Sequence, residues 1–169
     1  MSAAQRVLGV DPGTRRLGWG IVERRGAKVL AVAAGVVKLS EREALETRLD
    51  KVHRALGEII DTYAPSALAV EDIFYAEFPA AAIKLGHVRG VVLLVGAQRA
   101  LEVASYPPAL VKRTIAGRGA ADKAQIGRLV AATLGLRAAP PVDAADALAV
   151  ALAHCSKARL RGGGALDKR

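Results

Sequence analysis

Aromatic residues, cysteine and histidine are all scarce in this chain of 169 residues, which has one Trp, three Tyr, two Phe, one Cys and three His. A single cysteine, Cys155, excludes an intrachain disulfide and a thiolate zinc site. In its apolar helical surroundings it reads as a small core residue. No histidine clusters with the acids, which argues against a zinc hydrolase. No Gly-x-x-x-x-Gly-Lys-Ser/Thr loop occurs, which excludes a P-loop nucleotidase. The amino terminus, Met-Ser-Ala-Ala-Gln-Arg, lacks the apolar core of a signal peptide. The apolar runs at 29–37 and 91–97 are shorter than a bilayer requires. These absences predict a soluble protein of a reducing compartment, the cytoplasm, with no membrane partner.

Acidic residues are in deficit. Lys and Arg number 25 against 16 Asp and Glu, a formal charge of +9. A chain of this length is expected to form one domain with a real core. Its basic balance points to a polyanionic partner held at the surface.

The pattern along the chain predicts an α/β fold. Arg6–Asp11, Leu17–Glu23 and Lys28–Leu39 read as strands of an antiparallel meander, with turns at Pro12-Gly13-Thr14 and Arg25-Gly26. Leu45, Leu49, Val52, Leu56, Ile59 and Tyr63 recur at spacings of four and three, one apolar helix face. Ala67–Glu71 is a short apolar run of the kind buried on both sides of a sheet. A second long helix is expected over Ala80–Ala100. Its glycines Gly86, Gly90 and Gly96 each cost about 1 kcal/mol relative to alanine, so close approach of another backbone, within the fold or across a dimer, is expected there. Glu102–Tyr106 reads as a strand and Ala109–Ile115 as a short helix. A helix capped by Asp122 runs to about Leu134, and a last one starts near Asp143 and passes Cys155. One domain is expected over residues 1–157, followed by a basic, disordered tail at 158–169.

Against this background four acids stand out. Asp11 ends the apolar run Val7-Leu8-Gly9-Val10, and Glu71 ends Ala67-Leu68-Ala69-Val70. Asp143 and Asp146 lie one helical turn apart at the head of an alanine-rich segment. Function in α/β sheets gathers at the carboxyl ends of strands. If the first and fourth strands are parallel neighbours, their terminal carboxylates meet. Taken singly, Asp11 is also a common turn residue, and Asp143 and Asp146 suit a helix start. Glu71 has no turn role to explain it. Clustered carboxylates repel one another unless a divalent cation sits among them. Hard oxygen donors select Mg²⁺, with Mn²⁺ able to substitute. Two such ions flanking a phosphodiester would activate water on one side and stabilise the leaving oxygen on the other.

The run Leu8-Gly-Val-Asp-Pro-Gly-Thr-Arg-Arg-Leu-Gly-Trp-Gly resembles the opening of the RuvC Holliday-junction resolvases. So do Val70-Glu-Asp-Ile-Phe-Tyr, Ile83-Lys-Leu-Gly-His-Val-Arg-Gly, Val111-Lys-Arg and Asp143-Ala-Ala-Asp-Ala-Leu-Ala, in order and across nearly the whole chain. The resemblance implies a ribonuclease H-like mixed sheet, three antiparallel strands plus parallel ones, flanked by helices. It also implies a homodimer and Mg²⁺-dependent cutting of four-way DNA junctions by paired nicks in recombination and repair, beside a branch-migration motor. By motif match Asp11, Glu71, Asp143 and Asp146 are the catalytic, metal-holding carboxylates. Phe74 matches an aromatic placed against junction bases, where stacking compensates for interrupted pairing, and Tyr75 is expected to assist. Lys112 and Lys123 match lysines near the scissile phosphate. Lys84, Arg89, Arg113 and Arg118 are further phosphate-binding candidates. Three rivals stay open at this point. A sugar kinase or chaperone ATPase shares the Asp-x-Gly-Thr hairpin but needs two such domains. A shorter RuvC-like nuclease would process structured ribosomal RNA. A junction-binding protein without catalysis would not need four intact acids.

Overall fold

The computed structural model describes residues 5–72, 79–117 and 122–163. Five strands form one mixed sheet in the order β3-β2-β1-β4-β5. β1 (Gln5–Asp11), β2 (Arg16–Arg25) and β3 (Lys28–Lys38) make the antiparallel meander. Gly26 supplies the left-handed turn between the last two at φ 61°. β4 (Ala67–Glu71) lies parallel to β1, and β5 (Glu102–Tyr106) lies parallel to β4. The expectation that the first and fourth strands are parallel neighbours is met. Val10 stands opposite Val70, so both strands end at the same rim of the sheet.

Helices cover both faces. α1 (Leu45–Tyr63) and α2 (Pro79–Gln98) pack on one, where Leu8, Val10, Ile21, Leu56, Leu68 and Val92 are fully buried. Ala64 closes α1 in the left-handed conformation just before Pro65, which cannot continue a helix. α3 (Pro108–Ala116), α4 (Lys123–Leu134) and α5 (Val142–Gly163) cover the other face, over Val7, Val22, Ala69 and Leu148. Such a sheet with both faces covered explains why β4 reads as an unbroken apolar run: Ala67, Leu68, Ala69 and Val70 are all fully buried.

One element differs in extent from the sequence reading. α5 continues to Gly163, several residues into the stretch expected to be a disordered tail, because nothing in Ser156–Arg161 breaks a helix. Helix α2, over Ala80–Gln98, is long and apolar enough to cross a membrane by length and composition, although 22 % of that stretch is buried in the fold. Its apolar surface is divided. Val88, Val92 and Val95 face the core, while Ile83 and Leu94 are 62 % and 51 % exposed.

Candidate active site

α5 reaches the sheet because glycines let it. A Cβ on Gly18 of β2 would stand 1.9 Å from the Asp143 carbonyl oxygen, and one on Gly9 of β1 would stand 2.0 Å from that of Ala147. Both distances are impossible for a side chain, so only glycine permits the helix to lie this close. The consequence is positional. The first turn of α5, carrying Asp143 and Asp146, is brought to the rim where β1 and β4 end. This signal was present in the sequence as Leu-Gly-Trp-Gly, but its meaning depends on a helix contributed from far along the chain.

Asp11, Glu71 and Asp146 line a cavity of about 200 Å³ whose apolar wall comes from Pro108, Val111, Ile126 and Ala149. Lys112 of α3 and Lys123 of α4 line it too. Lys123 is the first residue of α4, placed there by the cap at Asp122, whose carboxylate accepts the Gln125 backbone N–H at 2.7 Å. Its Nζ lies 3.5 Å from Asp146 Oδ2. Asp143 stands apart at the edge, 3.8 Å from Arg16 Nη1. Three of the four acids therefore converge, and the fourth is one helical turn away beside an arginine.

The electrostatics are those of carboxylates held against their charge. Burial first, then the charges of Glu71 and Asp146, push Asp11 up to about 8, against the opposing pull of Lys123. Glu71 is raised mainly by burial and by Asp146, while its hydrogen bond with Asp11 and the nearby Lys123 and Lys112 act the other way. Asp146 is raised by burial, with Lys123 opposing. Asp11 and Glu71 share a hydrogen bond, and both carboxyls are held above their ordinary range. That contact draws two oxygen donors onto each other, and Lys123 occupies the third. The donor set itself, three converging carboxylates with no arginine among the described residues of the cavity lining, suits a hard divalent cation, which would relieve the same repulsion that raises them.

Other candidates fall differently. Lys84 lies close enough to Glu41 to lower that carboxyl, after the larger effects of Arg15 and Arg48. Arg113 is exposed in the last turn of α3. Arg89 turns inward to an ion pair with Asp72 at 3.0 Å. Phe74, Tyr75 and Arg118 lie outside the described residues. Arg16, next to Asp143, was not singled out from the sequence; only its position opposite α5 gives it significance.

A family profile for crossover junction endodeoxyribonuclease RuvC matches residues 7–154. The chain belongs to the RuvC family. A RuvC from Sorangium cellulosum is 50 % identical over 153 residues, covering 90 % of this chain and 86 % of that one. A RuvC from Azorhizobium caulinodans is 44 % identical over 163 residues, 96 % and 95 % of the two chains. Among solved structures, T. thermophilus RuvC in complex with Holliday junction substrate superimposes with a TM-score of 0.84 at 35 % identity, covering 92 % of this chain and 96 % of that one. The ribonuclease H-like sheet expected from the resemblance is the fold observed, and the chain is a nuclease of the RuvC type. The RuvC match sets aside both the kinase rival and the RNA-processing one.

Proposed function

We propose that this protein resolves four-way DNA junctions, as a homodimer that makes paired symmetric nicks by metal-assisted phosphodiester hydrolysis. The observation that carries the reading is the convergence of Asp11, Glu71 and Asp146 in a cavity flanked by Lys112 and Lys123, in a chain of net charge +9. The solved RuvC complex with a Holliday junction supports the choice of substrate.

In this mechanism Asp11, Glu71 and Asp146, completed by Asp143, would hold Mg²⁺ or Mn²⁺, two ions per site. A metal bound there supplies charge stabilisation at the phosphate and the leaving oxygen. The protein's own groups do the rest. Lys112 and Lys123 meet the incoming phosphate from the cavity rim, offsetting its charge before the carboxylates are reached. The apolar wall of Val111, Ile126 and Ala149 excludes bulk water and strengthens each electrostatic contact. Lys84 extends phosphate contact outward, and Phe74 with Tyr75 stack on bases where junction pairing is interrupted.

A junction has two-fold symmetry, and one site per subunit across a two-fold axis matches it. The outward face of α2 supports such a pairing. Ile83 and Leu94 are exposed, and a Cβ on Gly86 or Gly90 would meet nothing within 4 Å among the described residues. Helix glycines with open space around them fit a second copy's backbone. Cytoplasmic location and association with a branch-migration motor follow from the same family reading.

The test is a labelled four-way junction, a matched linear duplex and a structured RNA, each incubated with Mg²⁺ or chelator. Paired nicks confined to the junction, lost with chelator and in Asp146→Asn, are expected. Binding without cuts would refute catalysis, and RNA cleavage would move the chain to another substrate class.

A further inference from the structure

Arg89 was expected to grip phosphate, but its side chain is only 19 % exposed, whereas that of Lys123 at the cavity rim is 72 % exposed. It points toward the end of the sheet. Arg89 Nη2 lies 3.0 Å from Asp72 Oδ1 and donates to Ser105 Oγ at 2.7 Å. Asp72 directly follows Glu71, the last residue of β4, and Ser105 directly precedes Tyr106, which stands opposite Glu71 in β5. The Asp72 backbone N–H donates to the Tyr106 carbonyl at 2.9 Å, extending the strand pairing by one residue beyond Glu71. One guanidinium nitrogen and one amide therefore tie α2, β4 and β5 together at the point where Glu71 leaves the sheet. Arg89 Nε is buried with no partner among the described residues. An arginine serving only to meet DNA at the surface would not accept that desolvation.

The far side of the same junction is also fixed. Tyr106 Oη and His154 Nδ1 are hydrogen-bonded at 2.9 Å in the core. This links the end of β5 to α5, the helix that carries Asp143 and Asp146. The strand residue in register with Glu71 is thus itself anchored to α5.

We propose that Arg89 is a positioning residue for Glu71. Through Asp72 and Ser105 it locks the backbone from which the Glu71 carboxylate reaches Asp11 and Asp146. The proposal rests on the nuclease reading of that carboxylate group and adds a supporting ion pair to it. It also gives α2 two duties on one turn, since Arg89 turns toward the sheet while Gly86 and Gly90 face outward.

The experiment uses the full chain and the variants Arg89→Ala, Arg89→Lys and Asp72→Asn. Three quantities are read: junction affinity in Ca²⁺ by fluorescence anisotropy, single-turnover nicking of pre-bound junction across a Mg²⁺ titration, and the rise in Tm on adding Mn²⁺ without DNA. Residues supporting metal ligands typically change metal affinity or activity about 10–100-fold. Arg89→Ala is therefore expected to slow nicking on that scale and to need more Mg²⁺, with junction affinity changed less than about two-fold. Arg89→Lys should recover part of the loss. Asp72→Asn, which keeps the volume and removes the charge, should reproduce it and answers the question should Arg89→Ala not fold. Weaker junction binding with an unchanged rate on bound junction would make Arg89 a phosphate contact and overturn the proposal. Unchanged values of all three would overturn it as well. If the wild-type chain nicks no junction, the functional reading fails separately. The Mn²⁺-induced Tm rise then still decides the clamp: a smaller rise in the variants supports it, and an equal rise refutes it.

Discussion

Two strand acids show how differently the fold can hold a carboxylate. Glu23, near the end of β2 away from the site, is 4 % exposed and bound by Arg6 at 2.7 Å and Arg25 at 2.5 Å. The Arg6 hydrogen bond foremost, then that of Arg25, holds its carboxyl below the ordinary range. Among the described residues Asp11 has no arginine partner; Glu71 and Asp146 are its acidic neighbours, and it is pushed from 3.8 up to about 8. A carboxyl raised on folding binds more protons in the native state than in the unfolded one. Between those two values stability therefore falls as pH rises. In chelator, the Tm of the wild-type protein should drop between about pH 5 and pH 8 relative to Asp11→Asn, which has no proton to lose there. The comparison with the variant matters because His154, lowered by burial, acts in the opposite sense at the acid end of that window. Thermal melts of both proteins at matched pH give the difference directly. Added Mg²⁺ should restore the wild-type Tm at about pH 8. A difference that stays flat with pH would mean that Asp11 is ionised without a cation.

At the scale of elements, glycine decides which surfaces touch. Gly18 stands against the backbone of Asp143, so Gly18→Ala must lift the head of α5 off β2. Overpacking of this kind costs about 1–3 kcal/mol, and here it also moves Asp143 and Asp146. Urea denaturation and junction nicking should both register the change, with activity falling more than the loss of stability explains. Gly86 and Gly90 present the opposite case. Nothing among the described residues opposes a side chain there, so Gly86→Leu or Gly90→Leu should leave the monomer folded and abolish the dimer in analytical ultracentrifugation. A persistent dimer would remove α2 from the interface. These positions also mark what the sequence could disclose. Strand ends and helix starts were legible because burial writes them as local patterns: Ala67–Glu71 and Glu102–Tyr106 were read with the bounds observed, and the Asp122 cap was anticipated. The convergence of Asp11 with Glu71 followed from one topological assumption, a parallel pair. Contacts between distant segments were not legible. Neither the fit of Gly18 to Asp143, nor Arg16 beside that acid, nor the inward turn of Arg89 leaves a periodic trace. The reach of α5 to Gly163 was missed because a basic composition was taken as disorder.

Over the whole molecule, charge is sorted by depth. The acids of the site are partly buried at the strand ends, while Lys112 and Lys123 stand at the cavity mouth. Further cations lie beyond them: Arg16 sits directly opposite Lys38 on the neighbouring strand, near Asp143. Like charges paired across strands are destabilising on their own, and a polyanion lying over them reverses the sign of that cost. Binding should consequently release counterions, and the logarithm of junction affinity should fall linearly with the logarithm of salt concentration, by about 0.9 per phosphate neutralised. Measured in Ca²⁺ by anisotropy, Lys112→Ala should weaken binding similarly for every junction sequence and reduce the slope by about one. Asp146→Asn should do neither, since removing a negative charge from the site leaves the phosphate contacts in place. A slope near zero for the wild-type protein would break the link between the basic surface and the junction. An unchanged slope in Lys112→Ala would leave that link intact but shift the phosphate track away from the cavity, toward the Arg16 and Lys38 side of the sheet.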